Sequence, residues 1–402
     1  MKPEFYRKVL KNGMTVILEK RKFPVVGVGL AIKTGGIHEK EQEKGISHFI
    51  EHMLYKGTKK RSSKQIADEI EGRGGEINGF TSETITAYWC KISSNHLNVA
   101  LEVLTDMMKN SVFDKKEFEK ERKVIFEEIK MRKDNPTRYA LDQIHSFLYE
   151  KPFGIDLIGT YESMNSITRE KMLIHFHEIY QPNNMILCVV GDADFSKIVE
   201  FAERNFGSKK GRLPKAIVKE KNEVKIEKRK GIDQVNMVFA YHSPRANEKE
   251  SYAAMVLNTL MAGGMSSRLF SEIREKRNLA YAVKGYTDIN KEFSSTLIYV
   301  GTTKEKMNEV KELILKEFRK VSKKLTEKEL TQAKENIIGN TLISVEDSSN
   351  QMIQLLTWEI ADGNAGNFYK FEDNIKKVTA EEVRILAKKA TEKYSFFALV
   401  PE

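Results

Sequence analysis

The 402-residue chain contains only two cysteines, Cys90 and Cys188. Two thiols in this length exclude a disulfide-stapled scaffold and are typical of proteins from a reducing compartment. The sequence also lacks an apolar run approaching the roughly 20 residues that span a bilayer. Residues 1–5 lack the basic segment and apolar stretch of a secretory signal. We therefore predict a cytoplasmic protein with no membrane partner.

Motifs for binding nucleic acids and nucleotides are missing as well. The formal net charge is +10, but the basic residues are spread along the chain and mixed with acidic ones, and scattered lysines usually solvate helix faces. No aromatic-interleaved basic segment stands out. There is no phosphate-binding loop, no dinucleotide-binding glycine pattern and no Cys-x-x-Cys pair. We predict no nucleic-acid partner.

The order of apolar patterns along the chain occurs twice, which indicates one structural unit used twice. The first half shows strand, helix and strand patterns at 15–18, 25–32, 97–108 and 184–190. The second half repeats them at 235–240, 252–261, 281–300, 304–344 and 396–400. We predict an α+β fold of two homologous α/β sandwich halves, each a mixed sheet packed against helices. The predicted division is residues 1–206, a linker at 207–230, and residues 231–402.

A short segment of the first half carries metal-ligand spacing, with His48, Glu51 and His52 in the order His-x-x-Glu-His. On a helix, His48 and His52 lie one turn apart on the same face, so both imidazoles can bind one Zn²⁺. Glu51 lies beside them without being forced to bind the metal, which is where a base for a zinc-activated water belongs. The arrangement is the reverse of His-Glu-x-x-His. The alternative is a pair of surface histidines on an amphipathic helix.

Catalytic zinc needs a third protein ligand and one open position. A second predicted helix places Glu121 and Glu128 on one face with Val124 and Ile125, and two carboxylates on an apolar stripe are costly to bury without a cation or donor. Glu127 shares its face with lysines instead. We predict Glu128 as the third ligand and Glu121 as a carboxylate that orients a ligand histidine. For Glu121, an ordinary semi-exposed helix carboxylate is the alternative.

These residues resemble the zinc site of the pitrilysin family, the insulinase-type or inverzincin metallopeptidases, in the branch containing mitochondrial processing peptidase and its bacterial relatives. The resemblance extends over nearly the whole chain, with matching stretches at 10–14, 45–58, 74–82, 121–128, 158–160, 183–185, 191–192 and 268–281. The resemblance implies one Zn²⁺ per chain, held by His48, His52 and Glu128. It also implies that Glu51 is the base and that Glu121 is a supporting carboxylate of the metal site.

The second half lacks a metal-binding set. When Gly264 is aligned with Gly57, the positions corresponding to His48, Glu51 and His52 are occupied by Met255, Asn258 and Thr259. A separate alignment of the later helix places Asn340 opposite Glu128. Methionine and threonine are poor ligands for zinc in such a set. We predict one metal site per chain.

Two residues of the second half match the family's arginine and tyrosine pair. By resemblance, Arg274 and Tyr281 contact the bound peptide, and Tyr281 donates a hydrogen bond to the developing oxyanion. Without the resemblance, the sequence indicates that Arg274 is a charged residue on a helix surface and that Tyr281 is a core aromatic residue.

Residues 74–90 predict a strand that another backbone can approach closely. Two glycines precede an alternating run through Trp89, a pattern that suits addition of an extended peptide at a sheet edge. The resemblance implies that substrate binds here, with Phe80 where tyrosine is commoner. The predicted substrate-binding residues are Gly75, Ile77, Asn78, Gly79, Phe80, Thr81 and Ser82. An ordinary sheet edge is the alternative.

We expect a zinc-dependent endopeptidase that hydrolyses peptides or unfolded, extended polypeptide segments inside a closed chamber. Glu51 would take a proton from the attacking water and return it to the leaving amine. Since the largest family members link four such units and this chain has two, the resemblance implies a clam-like homodimer. The alternatives are a non-catalytic subunit and a dedicated precursor-processing subunit of a peptidase complex.

Overall fold

A computed structural model of the protein describes residues 4–402. The strands are β1 (Glu4–Val9), β2 (Thr15–Lys20), β3 (Val25–Ile32), β4 (Glu76–Thr81), β5 (Thr86–Ser93), β6 (Met185–Gly191), β7 (Val224–Arg229), β8 (Val235–His242), β9 (Ala280–Ile289), β10 (Ser294–Thr302) and β11 (Ser395–Pro401). The helices are α1 (Ile46–Leu54), α2 (Ser63–Glu71), α3 (Leu97–Asn110), α4 (Lys115–Asp134), α5 (Pro136–Leu148), α6 (Tyr161–Ser166), α7 (Arg169–Ile179), α8 (Phe195–Asn205), α9 (Ser251–Ala262), α10 (Met307–Lys323), α11 (Glu327–Ser344), α12 (Ser348–Asp362), α13 (Phe371–Lys377) and α14 (Ala380–Glu392).

These elements form two compact units. The first unit contains the described residues of Met1–Ile129 together with Leu157–Ile217 and Ser344–Phe368. The second unit contains Lys130–Asp156, Val218–Ile343 and Tyr369–Glu402. Each unit has its own buried apolar cluster.

The first unit is built on a six-stranded mixed sheet in the order β1-β2-β6-β3-β5-β4. Strands β2 and β6 are parallel, and the other neighbouring pairs are antiparallel. The central strands β3 and β6 are almost continuously buried, as expected for strands with both faces covered. Strand β4 lies at one edge of this sheet.

The second unit repeats most of that plan in a five-stranded sheet, in the order β7-β11-β8-β10-β9. The pair β7 and β11 is parallel, and the remaining pairs are antiparallel. Counted along the chain, its strands occur in the same spatial order and with the same relative directions as β2-β6-β3-β5-β4. This duplicated arrangement confirms the predicted α+β fold of two mixed sheets packed against helices.

In the first unit, helices cover both faces of the sheet. Helices α1 and α3 pack on the side where Val26, Val28 and Leu30 of β3 enter the apolar cluster. Helix α12 packs on the other side, where a Cβ on Gly29 would lie 2.2 Å from Met352 Sδ. The close approach of α12 to β3 therefore depends on the missing side chain.

The compact units do not follow the order of the chain. Helix α12 comes from the second half of the sequence but belongs to the first unit, and α5 comes from the first half but packs on β8 and β11 in the second unit. The predicted linker at 207–230 also includes β7, which pairs with the C-terminal strand. The division at 206 and 231 stays a prediction about the repeat, because packing is shared across those boundaries.

Two further expectations concern membrane-spanning helices and the cysteines. Within residues 4–402, no helix has both the length and the apolar content that crossing a bilayer requires. Both cysteines are free and buried.

Candidate active site

Helix α1 presents the histidine motif on its polar side. Its apolar residues Phe49, Ile50 and Met53 are fully buried, which fixes the helix against the sheet and turns His48, Glu51 and His52 the other way. At its N-terminus, the carboxylate of Glu39 accepts hydrogen bonds from the amides of Gly45 and Ser47, each at 2.8 Å. A carboxylate at this position satisfies orphan amides and opposes the positive end of the helix dipole.

The two histidines converge with Glu128 of α4. The imidazole centroids are 4.6 Å apart, and Glu128 Oε2 lies 3.5 Å from His48 Nε2 and 3.9 Å from His52 Nε2. One ligand atom from each residue can be chosen so that all three atoms lie within 4.8 Å of one another. Two imidazole nitrogens and one carboxylate oxygen are a donor set that suits zinc. Among residues 4–402 this is the one group of three or more potential ligands that could hold a metal.

The orientation of α4 explains which glutamate reaches the histidines. Glu121 and Ile125 are buried, Glu128 is half-buried and Glu127 is exposed, in line with the choice of Glu128 over Glu127. Val124 is 48% exposed, because the buried side of the helix is centred between Glu121 and Ile125 and leaves Val124 at its margin.

Glu121 supports the histidine pair from one turn further back. Its Oε2 lies 3.1 Å from His52 Nδ1. Because an ionised carboxylate can only accept, Nδ1 is the donor in this contact, and the lone pair of Nε2 is left for a metal. Glu121 Oε1 lies 2.8 Å from Lys56 Nζ.

Glu51 is held by a hydroxyl from the edge strand. Thr81 Oγ1 of β4 donates a hydrogen bond of 2.6 Å to Glu51 Oε2. Burial raises the pKa of the Glu51 carboxyl above its usual value, Thr81 and His52 oppose that rise, and Glu128 adds to it. A carboxylate with a raised pKa, fixed beside three potential ligands, is placed to accept and return a proton.

Comparison with known proteins identifies the family. A family model described as Insulinase (Peptidase family M16) matches residues 15–161, and one described as Peptidase M16 inactive domain matches residues 166–337. A protein named uncharacterized zinc protease YmxG from Bacillus subtilis (strain 168) is 32% identical over 401 residues, covering 98% of each chain. The chain belongs to peptidase family M16, the insulinase family.

Other matches agree with this assignment. A Rickettsia felis protein named uncharacterized zinc protease is 34% identical over 354 residues, covering 86% of this chain and 85% of the relative. The crystal structure of a protease from Helicobacter pylori has a TM-score of 0.90 at 24% identity and covers 99% of this chain and 100% of its own, which shows the shared fold. Membership of M16 confirms the resemblance and places the chain among the metallopeptidases.

The predicted substrate-binding residues of this M16 chain lie around the free edge of the first sheet. Strand β4 contains Ile77, Asn78, Gly79, Phe80 and Thr81. Gly75 precedes the strand, and Ser82 follows it in the turn to β5, where its amide donates to Ile85 O at 2.8 Å.

Gly79 is the point of β4 closest to the base. A Cβ placed on it would lie 2.7 Å from Tyr55 Oη and 3.3 Å from Glu51 Oε1. The absence of a side chain therefore lets the base approach the edge strand. Substrate binding by these residues stays a prediction.

Arg274 and Tyr281 lie in the second unit. Arg274 belongs to a π-helical turn, Phe270–Glu275, and its guanidinium lies 4.8 Å from the centroid of the Phe270 ring. Tyr281 is 48% exposed, not a core aromatic. It occupies a register shift between β9 and β10, and its hydroxyl is 3.3 Å from that of Tyr299. A bulge of this kind re-aims a side chain. The catalytic roles of both residues stay predictions.

The second unit carries the expected non-ligating residues in place of a metal set. Met255, Asn258 and Thr259 lie on α9, and Asn340 is exposed on α11. Asn258 instead lies under β9, where a Cβ on Gly285 would be 2.2 Å from Asn258 Oδ1.

Three contacts at the site were not predicted from the sequence. They are the hydrogen bond from Thr81 to Glu51, the ion pair of Lys56 with Glu121, and the Glu39 cap of α1. Lys56 follows His52 by four residues, so helical spacing is a signal that could have identified it. Thr81 and Glu39 are brought in by the sheet edge and by a loop, for which the local pattern holds no signal.

Proposed function

We propose that this M16 chain is a zinc-dependent endopeptidase that binds one Zn²⁺ through His48, His52 and Glu128. The observation that carries the proposal is the convergence of these three donors from α1 and α4, with the Glu51 carboxylate beside them. Zinc in such a site supplies Lewis acidity, which polarises a carbonyl and makes water more acidic.

The proposed chemistry assigns each remaining step to a side chain of this protein. Glu51 accepts the proton of the attacking water and later gives it to the leaving amine. Thr81 fixes one carboxylate oxygen of Glu51, so that the other oxygen serves the proton transfer. Tyr281 donates a hydrogen bond to the oxyanion.

We propose that the substrate is an extended peptide or an unfolded segment that pairs with the free edge of β4. An edge strand offers unpaired amide and carbonyl groups, so recognition through the main chain would tolerate many sequences. The position of Gly79, with Glu51 directly beside it, supports this placement. A closed chamber made by a homodimer, and a cytoplasmic location, are parts of the proposal that rest on the resemblance and the composition.

The decisive experiment combines metal analysis with two matched substitutions. Glu51→Gln should abolish cleavage of an internally quenched peptide, a fall of at least about 10³-fold, while the zinc content remains near one per chain. Glu128→Gln should lose zinc, whereas Glu127→Gln, the same change on the exposed side of α4, should keep both zinc and activity. Retained turnover in Glu51→Gln would contradict the assigned base.

Two other functions remain to be separated from this one. A non-catalytic subunit would cleave no peptide in a mixture, whatever its zinc content. A dedicated precursor-processing subunit would cleave at a narrow set of sites, and a general endopeptidase at many. Mapping cleavage sites on a peptide mixture distinguishes the three.

A further inference from the structure

Lys56 is connected to the metal centre through a carboxylate. Its Nζ lies 2.8 Å from Glu121 Oε1, and the other oxygen, Oε2, lies 3.1 Å from His52 Nδ1. The Glu121 side chain is only 8% exposed. Both oxygens of a nearly buried carboxylate are therefore held, one by an ammonium and one by an imidazole.

The backbone fixes Lys56 in this position. It follows His52 by four residues, and its amide donates to Met53 O at 3.1 Å as the helix ends. Gly57 then adopts φ +115°, a conformation that favours glycine, and its carbonyl accepts from the Val112 amide at 3.2 Å. Lys56 stays on the side of α1 that carries His52, so both side chains reach the same carboxylate of α4.

The contact between Lys56 and Glu121 contributes to the charge balance of the metal centre. Three carboxylates, from Glu51, Glu121 and Glu128, lie around the two imidazoles, and the Lys56 ammonium contacts one of them. With a divalent ion bound, the carboxylates are balanced by the ion and Lys56 together. Without the ammonium, one negative charge is left uncompensated in a largely buried site, where such a charge is costly.

We propose that Lys56 is a positioning residue of the metal centre, which holds Glu121 as the hydrogen-bond acceptor of His52. This inference rests on the proposed zinc site. An ammonium has three donors and no lone pair, so it can anchor Glu121 without competing for the ion. If the anchor is removed, the Glu121 carboxylate is no longer held in place, and His52 loses the partner that fixes its tautomer and orientation.

The test compares three variants of the full chain. Lys56→Met removes the charge and keeps the aliphatic stem, and Lys56→Arg keeps the charge. Lys59→Met is the control, with the same Lys-to-Met substitution at an exposed lysine three residues further on. Zinc affinity is measured by competition with a chromophoric chelator. Lys56→Met should bind zinc about 10–100-fold more weakly, which is the usual effect of losing a residue that supports a ligand. Lys56→Arg should retain most of the affinity and Lys59→Met all of it.

Two further measurements separate positioning from a general structural role. The visible spectrum of the Co²⁺-loaded protein should change in Lys56→Met, because the His52 imidazole loses the carboxylate that orients it, and should be unchanged in Lys59→Met. The thermal midpoint of the metal-free protein should fall in Lys56→Met, because Glu121 is left buried without its cation, and should be unchanged in Lys59→Met. Unchanged zinc affinity in Lys56→Met would overturn the proposal, as would a change confined to the metal-free midpoint. If the unaltered chain binds no zinc, the proposed function itself fails.

Discussion

The closest test of the site geometry is the substitution Gly79→Ala on β4. A Cβ at this position would lie 2.7 Å from Tyr55 Oη, 3.0 Å from Ala87 O and 3.3 Å from Glu51 Oε1. Gly79 does not have a positive φ, so the backbone accepts alanine and the whole effect is steric. The added methyl presses on the base and on the hydroxyl beside it.

The size of the effect follows from these contacts. Tyr55 Oη would have to withdraw by about 0.7 Å to reach an ordinary contact of 3.4 Å, and the carbonyl of Ala87 belongs to β5 and cannot move freely. Overpacking of a well-packed site costs about 1–3 kcal/mol. A displacement of Glu51 worth about 1.4 kcal/mol lowers kcat/KM about tenfold.

The Tyr55 hydroxyl provides an internal check. It is buried and makes no hydrogen bond to any residue between 4 and 402. Tyr55→Phe alone should therefore change the free energy of unfolding little. In the double variant, the 2.7 Å contact between the added Cβ and Tyr55 Oη disappears while the contact to Ala87 O remains. Part of the stability and activity lost in Gly79→Ala should therefore be recovered.

The assay is a double-mutant cycle on Gly79→Ala and Tyr55→Phe, measured by urea unfolding and by peptide cleavage. Gly207→Ala is the matched control, because a Cβ there meets nothing within 4 Å. We expect a coupling free energy of about 1 kcal/mol. If the free-energy changes of the two single substitutions add up to that of the double variant within about 0.3 kcal/mol, the reasoning is refuted. Additivity would mean that the Tyr55 hydroxyl and the added methyl group do not meet.

Three further predictions concern stability and the second unit. In Glu39→Gln, an oxygen that accepts a hydrogen bond is replaced by an NH₂ group that faces an amide of α1. Urea unfolding should show that the free energy of unfolding falls by about 2 kcal/mol. An unchanged free energy of unfolding would exclude the cap. Burial lowers the pKa of His175 to about 4. Its neutral form therefore contributes stability that is present above pH 6.5 and is lost as the pH falls toward 4. In that window, His175→Gln should reduce the slope of the unfolding free energy against pH by about 1.4 kcal/mol per pH unit. Gly301→Ala would place a Cβ 2.3 Å from Tyr281 Cζ and should lower kcat by displacing that ring, whereas unaltered kinetics would contradict the proposed role of Tyr281.

Several features could be predicted from sequence because they depend on spacing within one element. His48 and His52 lie on the same face because a helix turns once in about 3.6 residues. In the structure, the centroids of their imidazole rings are 4.6 Å apart. The choice of Glu128 over Glu127 followed from the same periodicity. The two mixed sheets followed from strand patterns that recur in the same order.

The partners that complete the site could not be predicted in this way. Thr81 and Glu51 are 30 residues apart, and they meet only because β4 takes the edge position next to β5 and α1 packs beneath it. The helices α5 and α12 likewise join the unit opposite to their position in the sequence. Nothing in their local pattern distinguishes one sheet from another, since both sheets offer an apolar face.

By itself, the sequence predicted the candidate metal donors, the common face of the two histidines on their helix and the kind of sheet that carries them. Only the tertiary structure decided that Thr81 holds Glu51, that Glu39 caps α1 and that Lys56 anchors Glu121. The physical reason is that periodicity sets the direction of a side chain within its own element. Which element lies opposite is decided by how buried faces and sheet edges pack over the whole unit.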